Sequence, residues 1–158
     1  MNTAFSHEPE GYICPFCIVI AEGHDRYTNE QDIVYKNEHV TAFIAPKWWI
    51  NNAGHVLVLP NKHYENVYVI PEDLHAEVYK VVKKVATAIR STYGCEGTSI
   101  RQHNESAGDQ DVWHFHTHVY PRYKEDKLYR NHDNVVLSDP ERRLPYAEKL
   151  RTYFAENS

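Results

Sequence analysis

Apolar residues recur in two rhythms along the chain, and the changes of rhythm mark its elements. Between Glu72 and Thr92, the residues Leu74, Val78, Val81, Val82, Val85 and Ile89 fall at intervals that return to one helical face. Pro71 suits the entrance of this long helix, and Gly94 follows its exit. Shorter apolar runs bounded by turn residues predict strands over 32–35, 40–45, 55–59, 98–104 and 112–120. Lys36-Asn37-Glu38 forms the turn between the first two, and Pro60 ends the third. The stretch ESAGDQD reads as the loop before the last strand, and PKWWINNAG, 46–54, as a loop carrying two tryptophans. A short helix is predicted over 14–21, with Pro15 in its first turn, and a final helix over 145–155, with Leu150, Tyr153 and Phe154 as docking residues. Strands in meander order, one long helix and shorter flanking helices predict an α+β fold with a mostly antiparallel sheet of about five strands. Residues 1–11 read as a flexible polar arm, 12–124 as the main domain and 125–158 as a charged extension ending in the last helix.

Composition narrows the function more than the fold. The 158 residues suit one compact domain, and 17 Lys and Arg against 22 Asp and Glu leave a net charge of −5. An acidic balance argues against a nucleic-acid groove, which needs a basic stripe, but leaves room for a small phosphate ligand. The apolar run after Cys14 is short and has acidic neighbours, unlike a secretory leader, and no apolar stretch nears the ~18 residues of a membrane span. Three cysteines, Cys14, Cys17 and Cys95, are an odd number that fits a reducing compartment, so the expectation is a cytoplasmic protein without membrane contact. Neither a GxGxxG nor a GxxxxGK[ST] stretch is present.

The chemistry concentrates in HFHTHVYPR, where His114, His116 and His118 alternate with other residues. In a strand they share one face, while Trp113, Phe115, Thr117 and Val119 take the other. Two uses of such a row compete. The three imidazoles bind one catalytic metal, or one imidazole is a nucleophile toward phosphorus and another supports it. A neutral imidazole suits the second use near pH 7, given an ordinary pKa of about 6.5. Separately, Cys14-Pro-Phe-Cys17 has the C-x2-C spacing that lets two thiolates reach one zinc, which is half a site.

His114-Phe-His116-Thr-His118-Val-Tyr-Pro-Arg122 resembles the signature of the histidine triad (HIT) family. Gly54-His55-Val-Leu-Val-Leu-Pro60 with His63, the polar residues Asn104 and Gln110, and the CPFC start resemble further segments of it, the last that of its zinc-bearing bacterial members. The resemblance implies a HIT-like fold and a nucleotide substrate. His116 would be the nucleophile, forming a covalent nucleotidyl-histidine that water releases. His118 would hydrogen-bond a phosphate oxygen and His55 would support the imidazole network. Asn104 and Gln110 would orient His55, the substrate or the leaving-group oxygen. Cys14, Cys17, His63 and His114 would hold a structural zinc, and the protein would be a homodimer. The implied activity is hydrolysis of a nucleotide phosphoanhydride of the dinucleoside polyphosphate type. Alternatives are a nucleoside phosphoramidate hydrolase or nucleotidyltransferase, and a zinc-stabilised nucleotide-binding regulatory module with little activity.

Three features depart from the family pattern. Ala45 stands where relatives have a ribose-reading acid or amide. Trp48 and Trp49 either stack on a base or pack against the last helix or a second copy. Asp111 stands where relatives have a hydroxyl donor, and an ionised carboxylate cannot donate. Arg122 and Arg130 either touch distal phosphates or belong to a charged linker. His7, His24, His39, His75, His103 and His132 carry no motif and read as surface or packing residues.

Overall fold

The computed structural model describes residues 5–131 and 133–157, so His132 lies outside the described residues. Among the described residues, seven strands form: β1 (Ile33–Lys36), β2 (Val40–Ile44), β3 (Lys47–Trp49), β4 (Val56–Pro60), β5 (Gly97–Gln102), β6 (Thr117–Arg122) and β7 (Val135–Leu137). Three helices accompany them: α1 (Pro15–Glu22), α2 (Glu72–Thr92) and α3 (Pro140–Glu156). Five strands make one sheet in the order β1-β2-β4-β6-β5, antiparallel at every pairing. This is the expected α+β architecture.

Both faces of the sheet centre are covered, which explains why its sequence does not alternate. Every residue of β2 and β4 is buried. On one face, Val78, Val81, Val82, Val85 and Ile89 of α2 pack with Ala42, Ile44, Val56, Val58 and Val119. On the other, Phe16 and Val19 of α1 pack with Phe43, Leu57 and Leu59. The strand carrying the histidines is shorter than its alternation predicts. It begins at Thr117, because the His114 N–H turns back to the Val112 carbonyl at 2.8 Å and the Phe115 N–H bonds the Tyr64 carbonyl at 2.6 Å. These bonds lift His114 and His116 off the ladder toward α1, where Phe16 meets both rings edge-on.

The C-terminal third differs most from expectation. Lys47–Trp49, read as loop, is a strand paired with Val135–Leu137. The last helix begins at Pro140, and Pro145 lies inside it rather than at its start. Trp48 is buried edge-on against Tyr146 of this helix, the packing alternative for that tryptophan. Gly54 is a consequence of the same contact. Its φ of +78° is left-handed, and a Cβ there would stand 2.4 Å from the Tyr146 ring.

A buried ion pair fastens α3 to the sheet. Arg143 holds both oxygens of Asp32, at 2.8 and 2.9 Å, and donates also to the carbonyls of Tyr27 and Ser138. The two side chains are 1% and 2% exposed. Removing one member leaves the other charged and dry. Arg143→Met is therefore expected to destabilise the fold by about 3–5 kcal/mol in urea unfolding, and a loss below about 1 kcal/mol would contradict the fastening role.

Candidate active site and metal centre

Four segments bring the sequence-selected residues to the face of the sheet that α1 covers, along β4 and β6. The Cys14–Cys17 turn enters α1, His63 follows β4, His55 precedes β4, and the histidine row leads into β6. They form two adjacent groups with His114 between them.

The first group is Cys14, Cys17, His63 and His114, whose ligand atoms all lie within 4.8 Å of one another. Cys14 Sγ is 3.4 Å from His114 Nδ1, and Cys17 Sγ is 3.4 Å from His63 Nδ1 and 3.6 Å from His114 Nδ1. Ligands of one tetrahedral zinc, at ordinary Zn–S and Zn–N lengths, stand roughly 3.3–3.8 Å apart, so the set fits such an ion. The outer ring nitrogens are already engaged. His114 Nε2 donates to the Pro60 carbonyl at 2.9 Å, and His63 Nε2 to the Glu8 carboxylate at 2.8 Å. Both rings thereby turn a bare Nδ1 inward, the tautomer a metal needs. Burial pushes the Cys14 thiol up to about 12 and the His114 ring down to about 3. A thiol held so high gives up its proton to a cation that replaces it. Among the described residues, this cluster could hold a metal with four protein ligands and no open position.

The second group is His116, His118, His55 and Tyr120. His116 is 3% exposed, and its Nδ1 donates to the His114 carbonyl at 2.6 Å. A carbonyl can only accept, so the proton sits on Nδ1 and Nε2 is bare. His118 stands 5.0 Å away, ring to ring. The Tyr120 hydroxyl lies 3.2 Å from His118 Nδ1, and His55 Nε2 lies 3.5 Å from the same atom. Burial lowers the pKa of all three imidazoles, with His55 at about 3 and His118 well below its ordinary value. The charge of Arg101 adds to this at His55 and His118. The cluster is therefore neutral at pH 7 despite its density.

Asn104 and Gln110 spend their hydrogen bonds on the surrounding loops rather than on this group. The Asn104 amide accepts from the Val67 N–H at 2.9 Å and exchanges bonds with Gln102. Gln110 accepts from the Glu105 N–H and donates to the carbonyls of Glu65 and Val112. Asp111 is 67% exposed, with Oδ1 3.9 Å from His116 Nε2. Trp49 meets His55 and Tyr120 edge-on. His103, which no motif marks, is part of the neighbourhood. Its Nδ1 donates to the Gly108 carbonyl at 2.7 Å, and its ring lies 5.6 Å from that of His118. Tyr120 was also legible in principle, as the next member of the row 114, 116, 118; Glu8 had no local signal.

A family model described as the HIT domain matches residues 26–125. The chain belongs to the HIT family. A HIT protein of Bacillus subtilis, named protein hit, is 36% identical over 110 residues, 70% of this chain and 71% of the relative. Among solved structures, a zinc-bound histidine triad protein of Mycobacterium smegmatis superposes with a TM-score of 0.74 at 26% identity, over 91% of this chain and 94% of that one. A histidine triad nucleotide-binding protein of Sulfolobus tokodaii, described as hypothetical, gives 0.75 at 26% identity, over 90% and 93%. No helix among the described residues is long and apolar enough to cross a membrane.

The buried imidazoles set the acid response of this HIT protein. His55 has a folded pKa of about 3 against ~6.5 for an unfolded chain, so unfolding takes up a proton at mildly acidic pH. Its contribution is complete above pH ~6.5 and is lost as the pH falls toward about 3, by up to ~1.4 kcal/mol per pH unit. NMR at pH 5 is expected to find a neutral His55 ring, and titration near 6.5 would contradict the burial account.

Proposed function

We propose that this HIT protein cleaves a nucleotide phosphoanhydride through a covalent nucleotidyl-histidine on His116, with dinucleoside polyphosphates as the leading substrate class. The observation that carries the reading is the bare Nε2 of a neutral, buried His116 whose other nitrogen is held by the His114 carbonyl. The name of the Sulfolobus relative, a nucleotide-binding protein, supports the substrate class.

In the first step the Nε2 lone pair attacks the α-phosphorus. The N–P bond forms, the P–O bond to the leaving phosphate breaks, and its electron pair departs on that oxygen. The ring becomes an imidazolium, and the His114 carbonyl, already bonded to Nδ1–H, stabilises the charge. In the second step a water oxygen attacks phosphorus, the N–P electrons return to Nε2, and the water proton passes to solvent. In this reading the Tyr120 O–H donates to His118 Nδ1, which leaves the His118 proton on Nε2 for a phosphate oxygen. His55 lies behind His118 at Nδ1 and keeps the network neutral. Asn104 and Gln110 act through the loop they brace against residues 65–67.

Cys14, Cys17, His63 and His114 are assigned a structural zinc. When bound, it supplies cross-linking rather than chemistry, because four protein ligands leave no position for substrate.

His116→Ala is expected to abolish turnover of diadenosine tetraphosphate while leaving the fold intact. Acid-quenched wild-type protein should yield a nucleotidyl-His116 peptide by mass spectrometry; undiminished hydrolysis by a folded variant would end the reading. Protein purified without chelator is expected to carry about one zinc per chain. Cys14→Ser should lose it together with thermal stability. A metal-free wild-type protein with an unshifted unfolding temperature would overturn the zinc assignment.

A further inference from the structure

We infer that Arg101 forms a second anion subsite next to His118, taking the phosphate chain beyond the scissile phosphorus, and that it makes the protein select nucleotides by phosphate number. The inference rests on the reading of His116 and His118 given above and adds a residue that neither the histidine row nor the metal cluster contains.

Register places Arg101 there. It is the direct partner of His118 across the β5–β6 ladder, so the two side chains project on the same face one strand apart, about 4.8 Å. A nucleotide whose first phosphate is held by His116 and His118 thus brings its next phosphate toward β5.

The way Arg101 is held points to an anion. Its guanidinium lies over three aromatic rings, 5.8 Å from the centroid of Trp49 and 5.6 Å from those of Tyr120 and Tyr129. Ring faces offer a guanidinium no strong hydrogen-bond acceptor, so contacts of this kind leave its N–H donors for another partner. Among the described residues it forms no ion pair. Arg122, the neighbouring cation on β6, is different: its Nε and Nη2 bond both oxygens of Asp126 at 2.7 and 2.9 Å. The charge of Arg122 is thereby answered within the fold, and Arg101 supplies the cation for the ligand. Its field already reaches His118 and His55. The frame is built from separate parts of the chain: Trp49, Tyr120 and Tyr129 converge on one guanidinium from three elements. The occupant that suits a planar cation beside a phosphate-binding histidine is a further phosphate of the same nucleotide.

Calorimetric affinities of AMP, ADP and ATP for the full chain in a His116→Ala background, where no adduct forms, test the subsite. Each added phosphate is expected to tighten binding. Arg101→Met should cut the ATP-to-AMP affinity ratio by about 10- to 100-fold, as for a lost charge-assisted hydrogen bond. Arg101→Lys should restore part of that ratio, which also controls for a Met variant that folds poorly. An unchanged ratio in a folded Met variant, equal loss for all three nucleotides, or a change of oligomeric state that accounts for the loss would each overturn the inference. A protein that shows the ratio but yields no His116 adduct in the wild type would keep the subsite and lose the hydrolase reading.

Discussion

The hydrogen bond from His116 Nδ1 to the His114 carbonyl is the contact on which the site depends. It joins two groups that otherwise belong to different tasks. The ring of His114 closes the Cys14, Cys17 and His63 cluster, and its carbonyl fixes the tautomer of His116. One backbone position therefore sets both the inward Nδ1 of the cluster and the outward Nε2 of the next histidine. Displacement of the ring would move the carbonyl with it. A metal held by the cluster would in this way be coupled to the aim of His116 through a single residue, His114.

The coupling requires that residues 112–116 leave the ladder. A regular strand would have directed the His114 and Phe115 N–H groups to a neighbouring strand. Instead they bond Val112 and Tyr64, and the saved positions let Phe16 of α1 wedge against the rings of His114 and His116. The same wedge excludes water. Burial is then the largest cause of the lowered pKa at each imidazole, ahead of any charge. His55, His114, His116 and His118 survive side by side because burial keeps these four rings neutral at pH 7.

Much of this was legible in the chain, and the parts that were not have physical reasons. The helix over Glu72–Thr92 and the strands around Val40 and Val56 carry long or fully apolar runs, and the structure follows them to within a residue or two. The pairing of Lys47–Trp49 with Val135–Leu137 was invisible because each strand is three residues long and β7 is exposed throughout. Pro145 was taken as a helix start because proline is favoured there; Pro140 offered the same signal one turn earlier. At the site, the residues in motifs were found, whereas His103 and Arg101 were not. Neither belongs to a local pattern. Arg101 owes its place to register with His118, a property of two strands that appears only after they pair.

Asp111 shows how exposure decides which charges this site tolerates. Its carboxylate is 3.9 Å from His116 Nε2, where an incoming phosphate would meet it. In the interior such a charge would dominate, but this side chain is 67% exposed, and in water two unit charges at 4 Å interact by only about 1 kcal/mol. Repulsion of that size is within the reach of His118 and a nearby cation to offset. In the proposed reaction, bonding of the nitrogen to phosphorus would make the ring positive, and the same carboxylate would then attract it. Under the proposed mechanism, a negative group at this position would oppose the approach of substrate weakly and favour the imidazolium that follows, so its net effect would fall on the intermediate rather than on binding.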